Sequence, residues 1–182
     1  MRAVSHSLST APPSMRTPLL GALGLLLAIP AVQAQDWSLP PTFGEVNLEE
    51  GFLPDPHEVA LTAGGATVPS AEGCDFGNIA EAPDYDLYYG SSVEPTDGGE
   101  PYFEASGSTT LYIYAVSDSD TTILVNTPGQ EWVCDDDSFG EGDPLVVIPN
   151  AAGGLYDIWV GTYGEDAAEA TLFISEVDPR GE

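Results

Sequence analysis

Six aspartates between residues 118 and 143 form the strongest chemical pattern in the chain. Asp135, Asp136 and Asp137 are consecutive, Asp143 follows six residues on, and Asp118 and Asp120 lie two apart upstream. Two-residue spacing puts Asp118 and Asp120 on the same side of an extended chain. Carboxylates converging without nitrogen or sulfur donors suit a hard cation. If residues 121–126 and 131–134 pair as a hairpin, the loops carrying Asp118, Asp120, Asp136, Asp137 and Asp143 emerge at one end and can surround one Ca²⁺, with Asp135 as a further ligand. An EF-hand does not explain the run, because Phe139 and Val146 occupy positions where that loop requires oxygen ligands. The competing reading is a solvated acidic face, since a chain with 30 Asp and Glu clusters some of them by chance.

Other chemistries find less support. His57 is the only histidine beyond residue 34, and it sits in the turn sequence Pro54-Asp55-Pro56-His57-Glu58. No Gly-x-Ser-x-Gly elbow supplies it with a nucleophile, and no second histidine completes a zinc-protease motif. Carboxylate pairs of the kind used in glycoside hydrolysis carry no information in so acidic a sequence. No catalytic or cofactor-binding residue is therefore nominated. The aromatic residues Tyr112, Tyr114, Trp132, Tyr156 and Trp159 could form a ligand platform, but aromatics in strands are more commonly packing.

The charge balance sets the compartment and excludes partners. Against the 30 acids stand Arg2, Arg16 and Arg180, and lysine is absent. The first two arginines lie in an acid-free opening segment with an apolar run, Leu19 to Ile29, and a small-residue cleavage pattern, Ala31-Val32-Gln33-Ala34. This reads as an export signal over residues 1–34, with Met15 an alternative start, and the run is too short to span a bilayer. Cleavage after Ala34 leaves all 30 acids opposed by Arg180 alone, a net charge of −29. Nucleic acid is excluded as a partner by repulsion, and no membrane insertion is expected after cleavage. Export to an oxidising compartment, secreted or periplasmic, predicts that the two cysteines form a Cys74–Cys134 disulfide. Self-repulsion of so acidic a chain falls with salt, so stability is expected to rise with NaCl, as suits a salt-adapted source.

The elements that must position these residues are short strands. Segments rich in β-branched and aromatic residues alternate with Gly, Pro, Asp and Ser clusters from residue 44 to 176, and helical periodicity never persists. Strands are expected at 58–63, 85–89, 111–116, 121–126, 131–134, 145–148, 155–161 and 170–175. Pro128-Gly129 turns the fourth into the fifth. Residues 35–57, with four prolines, read as an extended lead-in to a single domain over 58–178, and 179–182 as a tail. Eight or nine short strands with no crossover helix predict an all-β fold, an antiparallel β-sandwich of jelly-roll type.

Within that pattern, Asp120-Thr121-Thr122-Ile123-Leu124-Val125, Pro128-Gly129, Cys134-Asp135-Asp136-Asp137-Ser138 and Gly154-Leu155-Tyr156-Asp157-Ile158-Trp159-Val160 occur in an order that resembles the bacterial pre-peptidase C-terminal domain family. The resemblance implies a secreted β-sandwich module without catalytic activity, often calcium-binding and usually appended to an exported enzyme. No peptidase domain precedes the motifs here, so a module standing alone is expected. The resulting expectation is a monomeric, non-enzymatic, calcium-binding module whose partner is an extracellular protein or polysaccharide. A secreted hydrolase and a structural or adhesive surface component are the alternatives.

Overall fold

A computed structural model describes residues 35–181 except Ser70, Glu72, Asp75 and Asp97. The expected signal segment, its alternative start and the last residue of the tail lie outside the described residues. Eleven strands are present: β1 (Gly44–Leu48), β2 (His57–Ala63), β3 (Tyr85–Tyr89), β4 (Ser91–Val93), β5 (Tyr102–Glu104), β6 (Leu111–Ser117), β7 (Thr121–Asn126), β8 (Trp132–Asp135), β9 (Leu145–Ile148), β10 (Gly154–Thr162) and β11 (Ala168–Ser175). They form a five-stranded sheet in the order β1-β3-β10-β7-β8, a four-stranded sheet in the order β2-β11-β6-β9, and a β4-β5 ribbon. The architecture is an all-β sandwich.

The eleven strands exceed the eight expected segments by β1, β4 and β5. The last two have three residues each, too short to show alternation. β1 lies within the segment read as an extended lead-in, where Val46 and Leu48 are buried between exposed Glu45 and Asn47. It pairs with β3 in parallel, an exception to the antiparallel rule. The chain crosses to the other sheet as β2 before returning as β3, so β1 and β3 can run the same way.

The inner faces of the sheets make the core by period-two alternation. Tyr156, Ile158 and Val160 of β10 and Ile123 and Val125 of β7 meet Leu111 and Ile113 of β6 and Leu172 and Ile174 of β11. The outer face of the five-stranded sheet is not bare. Residues 64–83 cross it, and Cys74 and Ile79 pack on Leu124 and Trp159 in a second apolar cluster. The expected Cys74–Cys134 disulfide is present, with Cα atoms 5.8 Å apart, and ties this cover to β8.

Glycine permits the close approach of that cover. A Cβ at Gly161 of β10 would stand 2.4 Å from Ile79 Cγ2 and 2.7 Å from the Asn78 carbonyl oxygen. The Asn78–Thr162 bridge holds the two segments together, so neither retreats freely. Gly161→Ala is therefore expected to cost roughly 1–3 kcal/mol by overpacking, read as a lower midpoint in thermal melting.

Candidate functional site

Asp120 ends the loop before β7, and Asp135 closes β8, so their hairpin brings the acidic run alongside Asp120. Ile123 pairs with Asp135, which sets the following aspartates beside the start of β7. Burial, then the neighbouring Asp137, raises the pKa of Asp120. Asp136 is raised by burial first and then by Asp137, Asp135 and Asp120. Asp120, Asp136 and Asp137 thus share one electrostatic neighbourhood.

The other predicted ligands have different surroundings. Asp135 accepts hydrogen bonds from the Ser138 amide (2.8 Å), the Ser138 hydroxyl (2.6 Å) and the Leu145 amide (2.8 Å), bracing the loop. Asp143 accepts one from the Ser117 amide at 3.3 Å, and its carbonyl receives the Phe139 amide. Asp137 Oδ1 accepts one from the Gly142 amide at 3.2 Å. Asp118 lines a shallow groove with Ser117 and Glu169. Among the described residues, no three His, Cys, Asp or Glu side chains are disposed as a ready metal-ligand group. The oxygen donors fit a hard cation chemically, but Asp120, Asp136 and Asp137 must adjust to enclose one.

A second acidic feature crosses the outer face of the five-stranded sheet. Glu45 pairs with Asp86, Asp86 with Asp157, and Asp157 with Asn126, a row spanning β1, β3, β10 and β7. Asp157 is 3% exposed and Asp86 8%. Burial, then the charge of Asp86 and a hydrogen bond to it, pushes Asp157 up to about 7; burial and then Glu45 push Asp86 up to about 6, against the lowering effect of its hydrogen bond to Asp157. One Oδ1 of each has no hydrogen-bond partner. Asp157 and Asn126 line a groove of about 310 Å³ walled by Trp37, Pro128, Leu155 and Gln130. 

These two places are the candidate sites. No protein-family model matches the chain, and no curated protein does. Solved structures do. The chain is similar to the pre-peptidase C-terminal domain of collagenase from Bacillus anthracis, at 10% identity and a TM-score of 0.43, covering 75% of this chain and 98% of that one. It is also similar to Aeromonas hydrophila PliG, a periplasmic lysozyme inhibitor of g-type lysozyme, at 14% identity and a TM-score of 0.36, covering 72% and 96% respectively.

His57 opens β2 opposite Ile174, on the other sheet from the buried acid pair. Of the aromatics weighed as a platform, Tyr114, Tyr156 and Trp159 are buried, Trp159 packs against half-buried Trp132, and Tyr114 stacks on Phe173. They serve as packing. The sequence reading missed Asp86, Asp157, Asn126 and Trp37. A signal existed: Asp157 interrupts Leu155-Tyr156-Asp157-Ile158-Trp159-Val160, and an acid inside an apolar run buried on both faces conflicts with its surroundings.

Proposed function

We propose that this protein is a non-enzymatic β-sandwich binding module acting outside the cytoplasm, and that its acidic hairpin end takes up Ca²⁺. The observation that carries the reading is the gathering of Asp120, Asp136 and Asp137 at the mouth of the β7–β8 hairpin, where burial and then like charges raise the pKa of Asp120 and Asp136. A divalent cation relieves that repulsion. The order of sequence motifs that resembles pre-peptidase C-terminal domains supports the same reading, as does the disulfide, which persists in oxidising compartments.

Asp135 is occupied in bracing the loop, and Asp143 is held by Ser117, so the cation relies on few free carboxylates. A low ligand number suits a weak affinity of the kind extracellular modules have, roughly 10⁻⁴ to 10⁻³ M. Calcium titration followed by thermal melting tests the proposal. Binding to the native state alone raises the midpoint, by about 2.7 kcal/mol of stability at a hundredfold excess over Kd. Asp137→Asn is expected to abolish the calcium-dependent increase. An unchanged midpoint at millimolar Ca²⁺ would remove the metal from the proposal. In the assembly the module is expected to be monomeric and to engage an extracellular protein or polysaccharide, which sedimentation with and without calcium distinguishes from an adhesive, self-associating role.

A further inference from the structure

The groove at the far end of β7 from the acidic loop has the features of a second binding site. Its walls are apolar and aromatic: Trp37, half exposed, faces a space shared with Pro128 and Leu155. Its acid is buried, and Asp157 Oδ1 lacks a hydrogen-bond partner while its carboxyl is bonded to that of Asp86. Two carboxylates in contact cannot both remain charged without a cation or a shared proton. Among the described residues no cation is supplied here, for lysine is absent and Arg180 is engaged by Asp178 at 2.7 Å. An unbalanced buried acid in a groove shared with an aromatic ring is complementary to an organic cation, whose N–H groups meet the carboxylate and whose alkyl part covers the ring.

We propose that the groove formed by Trp37, Asn126, Pro128, Leu155 and Asp157 binds a side-chain-sized organic cation, an alkylammonium or guanidinium group, with the Asp86–Asp157 pair as its counter-charge. Asn126 and Gln130 offer side-chain amide oxygens for remaining N–H groups. Trp37 is held in position by the turn around it: the Asp36 amide donates to the Glu81 carbonyl, and Asp36 Oδ1 accepts from the Ser38 amide at 3.0 Å. The site is separate from the calcium proposal, since Asp120 precedes β7 and Thr127 follows it.

Binding of a cation displaces the shared proton, so affinity is expected to fall as pH drops from 8 to 5. The groups facing the pair are Glu45 from β1, Tyr88 from β3 and Asn126 from β7, and burial followed by the neighbouring carboxylates raises the Tyr88 phenol above its ordinary value, so it stays protonated throughout this range. Titration of the folded protein at pH 8 with butylammonium and butylguanidinium chloride, followed by Trp37 indole NMR shifts, is expected to saturate, whereas n-butanol is not. Asp157→Asn is expected to weaken binding by at least about tenfold. Trp37→Ala, on the surface, provides a second test that leaves the core intact, its binding read from the Asn126 side-chain amide shifts. A parallel titration with a lysine-bearing tripeptide identifies the source: a much tighter fit than butylammonium assigns the cation to a protein side chain, and an equal fit to a free amine. Equal binding of n-butanol, unchanged binding in both variants, or displacement of the amine by Ca²⁺ at the same groove would overturn the proposal.

Discussion

Melting at pH 5 is expected to occur on the order of 10 °C above melting at pH 8, because three buried carboxylates hold protons in the native state that the unfolded chain releases. Burial pushes Asp84 and Asp157 up to about 7 and Asp86 to about 6. An acid whose folded pKa lies above its unfolded value contributes stability that is complete below the unfolded pKa, near 4, and is lost as pH rises through the folded pKa. The loss therefore falls between about pH 4 and pH 8. One pKa unit is worth about 1.4 kcal/mol, so a single unit from each group makes on the order of 4 kcal/mol. Asp178, lowered to about 2 by Arg180, and Asp36 and Glu50, lowered by serine hydrogen bonds, act in the opposite sense but only below about pH 4.

Asp84 separates charge from hydrogen bonding. Its Oδ2 accepts the buried Val160 amide at 2.7 Å. Asp84→Asn keeps an oxygen acceptor and removes the titration, so it should flatten the pH dependence and raise the midpoint at pH 8. Asp84→Ala leaves the Val160 N–H unpaired and should cost about 1–3 kcal/mol at either pH. Added NaCl at pH 8 is expected to act in the same direction as acid, by screening the remaining surface carboxylates. A midpoint at pH 5 equal to or below that at pH 8 would contradict the assignment of these three acids.

Strands with a clear period were legible in the sequence: Tyr85–Tyr89, Thr121–Asn126 and Leu145–Ile148 lie where β-branched and aromatic runs between turn residues put them. The disulfide was legible from the count and compartment of the cysteines. β1 was not, because its five residues sit between proline-rich stretches and its pairing is parallel, which local pattern does not encode. The acidic hairpin end was readable in part. Hairpin geometry brings Asp120 beside Asp136 and Asp137, but the bracing roles of Asp135 and Asp143 depend on the path of the Ser138–Gly142 loop. The Asp86–Asp157 contact was hidden for a more general reason. β3 and β10 are far apart in sequence, and which residues face each other across them is set by register, which the hydrophobic pattern fixes only once the sheet order is known. Each acid alone read as one of many.

Cysteine removal should have the other large effect. The bridge spans a sequence separation of 60, and in the chain-entropy account closing a loop of that length is worth about 4 kcal/mol, which corresponds to on the order of 10 °C in the midpoint. The native side of the account sharpens the expectation. Among the described residues of 64–83, none of which belongs to a named strand, the cover is held over the outer face by the Thr67–Ile79 and Asn78–Thr162 bridges and by the packing of Cys74 and Ile79 on Leu124 and Trp159. A segment with few backbone bonds opens locally at lower free energy than the sheets beneath it. In Cys74→Ser/Cys134→Ser the cover should therefore become the first site of limited proteolysis, and Trp159, fully buried in the native protein, should gain solvent access before global unfolding. Equal midpoints for the oxidised protein and the double variant would show that the bridge constrains neither state. A lower midpoint with the cover still protected would place its effect in the unfolded chain alone, whereas early cleavage within 64–83 assigns part of it to holding the cover over Trp159.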